Sequence, residues 1–246
     1  MAVVRGLATA LFILSIPLAL ITSNVRYLTN EKHVYEYAID HYDAAATTGI
    51  ARNELLRASG ELRNYFNNDS DVFFTRVEKN NREIALFNER ETEHLKDVKG
   101  VLQVTYLVQE LALVYIMAYV VGVFVWARER SMRTLAIHTL VGGLLAIGVI
   151  AAFAVIAAGG FESAFEQFHE IAFTNDLWQL NPATDRLIMM FPEGFWFDVT
   201  IFLGVLTIGE AVVLSLGSAI HLTFGHRTTK QALMPGQDVP SAQAAN

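Results

Sequence analysis

Four long, almost uncharged blocks of apolar residues decide what this chain can fold into. The first lies within residues 1–23, and the others occupy residues 101–126, 135–158 and 198–222. The third block has no charged side chain between Thr134 and Gly160. A helix needs roughly 20 apolar residues to cross a bilayer. The sequence therefore predicts an all-α integral membrane protein with four transmembrane helices, of which the first is an uncleaved anchor.

The basic residues predict the orientation of these spans. Arg128, Arg130 and Arg133 lie in or beside the short loop 127–134, and Lys or Arg residues in short loops mark the cytoplasmic side. Both termini are therefore expected in the cytoplasm, with residues 223–246 as a disordered tail. The two longer loops, residues 24–100 and 159–197, are expected to face outward.

Charge is unevenly distributed along the chain. Only 17% of the 246 residues are charged, and residues 24–100 hold 25 of the 43 charged side chains. This first loop is therefore predicted to form a small extracytoplasmic helical domain of its own. The net charge of −7 without a basic stripe excludes nucleic acid as a partner. The absence of cysteine excludes disulfides and a thiol nucleophile.

Helical spacing in both outer loops predicts three further helical segments. An apolar stripe marks a helix across residues 48–67. A second helix is predicted to begin at Asn88, with Glu91 completing a capping box, and to continue into the second span. Phe161, Phe165 and Phe168 mark a helix in the second loop, which is so rich in aromatic residues that we expect it to lie in the membrane interface.

Two histidines in these outer helices are candidates for acid–base chemistry. His94 has Glu91 and Asp97 within one helical turn, and a carboxylate can orient an imidazole and raise its basicity. His169 lies between phenylalanines, with Asp176 seven residues further on. The alternative interpretation is a solvated charged face and an interfacial histidine without a catalytic role. Spacing alone does not decide between the two.

Two acidic residues, Glu110 and Glu210, fall inside predicted spans, where ionisable groups are rare. They could hydrogen-bond and aid helix association, or carry protons in a small proton-linked transporter, which is the alternative function. Haem ligation and an outer metal site are weaker alternatives, because the histidines concerned have no recognised ligand spacing. These histidines are His138 and His221 for haem, and His33, His41, His94 and His169 for a metal. We expect neither a cofactor nor a metal.

Two motifs resemble a known family. An Asn-Glu-Arg-Glu-x-x-His-Leu-x-Asp-Val-Lys stretch precedes the second span, and a Phe-His-x-x-x-Phe-x-Asn-Asp-x-Trp stretch follows the third. Together with the later Leu-Asn-Pro-Ala-Thr-Asp and Phe-Pro-Glu-Gly-Phe segments, they resemble the bacterial lipoprotein intramolecular transacylases.

This resemblance implies an acyltransferase of the bacterial cytoplasmic membrane that acts on diacylglyceryl-modified lipoproteins amid membrane lipids. It would move the sn-2 acyl chain of the diacylglyceryl cysteine to the α-amino group of that cysteine. The resemblance implies that His94 and His169 are catalytic. Supporting or orienting roles fall to a larger set: Glu91, Asp97, Asn175, Asp176, Trp178, Asp185 and Glu193.

Overall fold

The computed structural model describes residues 2–127 and 131–232, so Arg128, Arg130 and the last 14 predicted tail residues, 233–246, lie outside it. The elements in chain order are α1 (Ala2–Asn30), α2 (Lys32–His41), α3 (Ala44–Thr48), α4 (Arg52–Tyr65), β1 (Arg76–Lys79), β2 (Arg82–Ala85), α5 (Glu89–Ala127), α6 (Ser131–Ala158), α7 (Phe161–Ala172), α8 (Arg186–Met190) and α9 (Glu193–Ala232).

Four helices in the described ranges, α1, α5, α6 and α9, are long and apolar enough to cross a membrane. This confirms the predicted all-α membrane fold. Each of the four extends beyond its apolar block. The first three turns of α5, residues 89–100, are rich in charged side chains, and its apolar stretch begins only at Val101. These turns therefore stand outside the hydrocarbon layer as a rigid continuation of the second span.

The four long helices pack against one another, and small residues bring two of them close together. Helix α1 packs against α5, α6 and α9, and α6 packs along α9. At Gly143 an added Cβ would overlap Oγ of Ser215 and would lie 3.1 Å from the carbonyl oxygen of Ala211. Glycine lets the two backbones approach closely, as is common where helices meet in a membrane.

The outer domain contains a β-hairpin as well as helices, which the prediction of a wholly helical loop missed. Strands β1 and β2 pair antiparallel, with Val77 opposite Ile84. Asn80 and Asn81 connect them with φ angles of 53° and 55°. Paired positive φ angles are typical of two-residue hairpin turns, which asparagine tolerates well. The Asn-Asn pair between short alternating segments was the sequence signal.

The second outer loop belongs to the same hydrophobic core as the first. Met190 in α8 is fully buried, and it clusters with Ile39, Leu55 and Leu86 of the first loop. Phe191 and Phe195 join this cluster. The first loop, predicted as a domain of its own, therefore shares one hydrophobic core with the second loop.

Helix α9 continues to Ala232, so residues 223–232 of the predicted tail are helical in the structure. No proline occurs in this stretch, and the single Gly225 costs a helix only about 1 kcal/mol. Nothing in the local sequence ends the helix at the membrane surface.

Candidate active site

The capping box at the start of α5 forms as predicted. The Asn88 backbone N–H donates to Oε2 of Glu91 at 2.7 Å, and the Glu91 N–H donates to Oδ1 of Asn88 at 3.0 Å. This reciprocal pair satisfies two N–H groups that a helix start otherwise leaves without partners. It sets the first turn of α5 and places His94 in the second turn.

Helix α7 carries the other histidine, and it spans the segment in which the phenylalanine spacing predicts a helix. Gly160 separates it from α6 with a φ of 141°, a conformation that favours glycine. His169 lies buried in the last turn, whereas the neighbouring Phe168 and Ile171 are 51% and 86% exposed. The helix therefore turns an apolar side outward and its histidine inward.

The fold brings the two histidines together. The ring centroids of His94 and His169 are 6.1 Å apart, and both side chains are buried. Phe173 touches both rings, with centroid distances of 5.1 Å to His94 and 5.5 Å to His169. The Trp178 ring lies 5.0 Å from His169, beside an open hollow that it helps to line. Two imidazoles thus share an aromatic enclosure.

A backbone contact fixes the tautomer of His169. Its Nδ1 lies 2.7 Å from the carbonyl oxygen of Phe165, one turn earlier in α7. A carbonyl oxygen can only accept, so Nδ1 carries the proton. In the neutral ring Nε2 then holds a free lone pair. Burial lowers the pKa of His169, and the hydrogen bond to Phe165 opposes that shift in part.

Burial also lowers the pKa of His94. Burial, followed by the proximity of His169, lowers the pKa of His94 to about 4, although Asp97 acts in the opposite direction. Its Nδ1 is buried and has no hydrogen-bond partner among the described residues. A buried polar atom without a partner is uncommon in a folded protein and requires an explanation. A bound substrate group would supply one.

The carboxylates predicted to orient the histidines have other partners. Asp97 accepts a hydrogen bond from Nδ2 of Asn175 at 2.8 Å. Glu91 accepts from the Leu187 N–H at 2.6 Å, and Asp185 accepts from Nδ2 of Asn88 at 3.0 Å. None of the three has a described hydrogen bond to either imidazole. They connect α5 to the second outer loop.

Asp176 and Glu193 are exposed, and neither has a described hydrogen bond to a histidine. Asp176 instead contributes its backbone carbonyl, which accepts from the guanidinium of Arg90, as does the carbonyl of Leu177 at 3.4 Å. Sequence reasoning missed Arg90 and Phe173. Both lie inside the two motifs. The carbonyls that Arg90 contacts and the His94 ring that Phe173 contacts are remote in sequence, so spacing gave no signal for these contacts.

The two acids inside the spans both contact α1. Glu110 pairs with Arg26 at 3.1 Å, and the Asn24 side chain donates to Glu210 at 2.9 Å. Asn24 also donates to the fully buried Thr207 at 3.1 Å. Both acids therefore have polar partners that join neighbouring helices.

Comparison with known proteins identifies the family. The family model described as lipoprotein intramolecular transacylase Lit matches residues 10–196, which include both histidines and both motifs. The chain belongs to the Lit family. It is therefore an acyltransferase and a multi-pass membrane protein. A protein of Aquifex aeolicus, described only as uncharacterized, is 25% identical over 207 residues, covering 82% of this chain and 89% of that protein.

Solved structures of a Lit protein share the fold. The membrane-integral lipoprotein intramolecular transacylase Lit of Bacillus cereus superposes with a TM-score of 0.66 at 18% identity, over 95% of this chain and 100% of the other. A variant of that protein with one histidine replaced by arginine gives a TM-score of 0.71 at 19% identity, over 93% and 96%. At this identity the likeness concerns the fold alone.

Proposed function

We propose that this Lit family member converts a diacylglyceryl lipoprotein into its lyso-form. The α-amino nitrogen of the lipidated cysteine attacks the carbonyl carbon of its own sn-2 ester. A C–N amide bond forms, the ester C–O bond breaks, and the amine proton ends on the departing glyceryl oxygen. The substrate brings both nucleophile and acyl group, which agrees with a chain that has no cysteine. Proximity of the two groups supplies much of the rate.

The pair of buried imidazoles 6.1 Å apart is the observation that carries this proposal. An α-amino group has a pKa of about 7.7–8.0, so a base must remove its proton before it attacks. His169 suits that role, because its Nδ1 proton is held by Phe165 and its Nε2 has no hydrogen bond to a described residue. The same nitrogen then returns the proton to the glyceryl oxygen.

His94 suits the complementary role. At neutral pH its imidazole is uncharged, so one ring nitrogen carries a proton that it can donate. A hydrogen bond to the oxyanion of the tetrahedral intermediate is strong where water is excluded, and the surrounding aromatic rings exclude it. The unpartnered Nδ1 of His94 provides a site for such a bond or for the amine.

The location of the histidines fits a substrate anchored in a membrane. His94 stands in the charged turns just beyond the apolar stretch of α5, and His169 lies in a helix whose apolar residues Phe168 and Ile171 are exposed. The ester of a diacylglyceryl group lies at this depth, between acyl chains and headgroups. From the arginines near the loop between α5 and α6, we infer that this face is the extracytoplasmic one and that both termini are cytoplasmic.

Mass spectrometry of a lipoprotein N-terminal peptide tests the proposal. The chain is expressed in a bacterium that makes diacylglyceryl lipoproteins but lacks its own N-acylating enzymes. We expect the wild-type chain to give an N-acylated, mono-O-acyl peptide, whereas His94→Ala and His169→Ala leave a free amine and two ester chains. His33→Ala, at an exposed outer histidine, is the matched control and should retain full conversion. A free amine with the wild-type chain at normal membrane levels would refute the proposal.

A further inference from the structure

Two buried carboxylates join the helix of His94 to the second outer loop. Glu91 is 1% exposed and Asp185 is 7% exposed. Ionised side chains are seldom buried this completely unless they are well hydrogen-bonded, because burial removes their hydration. Both lie in one network with Asn88 and Leu187, which we call the Glu91–Asp185 brace.

Glu91 uses its two oxygens on two different elements. Oε2 accepts from the Asn88 N–H of its own helix, and Oε1 accepts from the Leu187 N–H in the first turn of α8. The second contact is 2.6 Å long, typical of a strong bond to a charged acceptor. The same carboxylate therefore caps α5 and holds the loop that follows the aromatic enclosure.

Asp185 completes the brace from the opposite side. Its Oδ1 accepts from Nδ2 of Asn88 at 3.0 Å, and its Oδ2 accepts from the Asn181 N–H at 2.7 Å. The next residue, Arg186, donates to the carbonyl oxygens of Ala85 and Leu86, just before α5 begins. Each segment thus binds the other through both side chains and backbone.

The brace is connected to His94 through helix α5. His94 follows Glu91 by three residues in a continuous helix, and the loop that the brace holds also carries Phe173 and Trp178 against the histidine rings. No described hydrogen bond fixes Nδ1 of His94, so the position of its ring depends on the backbone of α5 and on packing.

We propose that Glu91 is a positioning residue, which sets His94 against His169 by tying the first turn of α5 to Leu187. It contacts neither the imidazoles nor the reacting atoms. The inference rests on the proposed transacylation for its kinetic consequence, but its structural consequence is independent of that reaction.

Glu91→Gln tests the brace with little change of volume. The Asn88 and Leu187 N–H groups face different oxygens of Glu91, so in a neutral amide one of them would meet an NH2 donor instead of an acceptor. Loss of a charge-assisted hydrogen bond should speed hydrogen exchange at the Leu187 amide about 10- to 100-fold. Glu93→Gln, on an exposed neighbouring position of α5, is the matched control and should leave that exchange unchanged.

A second variant distinguishes the effect of losing the brace from the effect of losing the helix cap. Asn88→Asp keeps a good N-cap residue for α5 but puts a carboxylate in place of the donor that faces Asp185. If the brace matters, this variant should also speed exchange at Leu187. Its effect should be non-additive with Glu91→Gln, because the two residues share one network.

The histidine itself supplies the decisive readout. We expect acylation of His94 by diethylpyrocarbonate, followed by peptide mass spectrometry, to be faster in Glu91→Gln than in the wild type. Turnover of a diacylglyceryl lipopeptide should show a fall in kcat with little change in KM. Wild-type exchange at Leu187, or faster exchange with unchanged His94 modification and unchanged kcat, would overturn the proposal. Failure of the transacylase assay in the wild-type chain would refute the proposed function, while exchange and labelling would still decide on the brace.

Discussion

The Nδ1 atom of His169 donates to the carbonyl oxygen of Phe165 at 2.7 Å, whereas Nδ1 of His94 has no partner in the described part of the chain. The two imidazoles thus share an enclosure but differ in how they are held. His169 is held by a hydrogen bond within its own helix, whereas Nδ1 of His94 has no described hydrogen-bond partner. This asymmetry is the basis for assigning them different chemical roles.

His169→Asn should separate structure from catalysis at that position. The asparagine amide can still donate to Phe165 but has no basic nitrogen in place of Nε2. We expect unchanged membrane levels, a thermal midpoint close to that of the wild type and a loss of turnover of about 10²- to 10⁴-fold, the usual contribution of a general base. Retained turnover would assign the base to another residue.

The buried neutral His94 should make the protein less stable in acid. An unfolded histidine has a pKa of about 6.5, whereas burial lowers that of folded His94 to about 4. The unfolded state therefore binds more protons between these values, and stability falls as the pH drops from 6.5 to 4. The loss amounts to at most about 3.4 kcal/mol, since each pKa unit is worth 1.36 kcal/mol. Thermal midpoints in detergent across this range should fall less for His94→Gln than for the wild type.

Arg90 should matter although it contacts neither histidine ring. Its guanidinium holds the carbonyls of Asp176 and Leu177, next to the Trp178 that packs on His169. We expect Arg90→Gln to lower turnover roughly tenfold, since hydrogen bonds from charged groups are worth about 1.5–3 kcal/mol and these are exposed. Arg82→Gln, in the exposed hairpin, is the control. Equal turnover in the two variants would show that the Arg90 contact is dispensable.

Replacing Glu210, the acidic residue in the fourth span, by a neutral residue should have little effect on activity or stability. In Glu210→Gln the amide oxygen can still accept from Asn24, so we expect transacylation and thermal stability close to wild type. Asn24→Ala leaves Glu210 and Thr207 without their shared donor and should cost about 1–2 kcal/mol of stability. Proton flux into vesicles that is present in the wild-type chain and absent in Glu210→Gln would support the transporter alternative instead.

Two glycines of α6 should respond oppositely to alanine. An added Cβ at Gly143 meets Ser215 and the Ala211 carbonyl, so Gly143→Ala should destabilise the bundle by about 1–3 kcal/mol. At Gly148 nothing lies within 4 Å, and Gly148→Ala should be neutral or stabilise the helix by up to about 1 kcal/mol. Thermal midpoints of the purified variants compare them directly, and equal midpoints would contradict the close α6–α9 contact.

Local signals predicted the spans and the start of α5. The four spans follow from apolar length, and the start of α5 follows from Asn88 and Glu91 being three residues apart. The hairpin at Asn80 was missed because its strands are short and charged, with a single inward residue, Val77 or Ile84, on each. The bond from Glu91 to the second outer loop could not be predicted, because its donor, the Leu187 N–H, is 96 residues away in the sequence.

The sequence by itself determined that this chain spans a membrane four times and that His94 and His169 are its candidate catalytic residues. Apolar length and the motifs that resemble the family are properties of consecutive residues, so they are visible in the unfolded chain. Only the tertiary structure decided that the two rings meet, that Phe165 holds one of them and that burial lowers the pKa of both. Those properties depend on distances between α5, α7 and the second outer loop, which the packing of the shared outer core fixes.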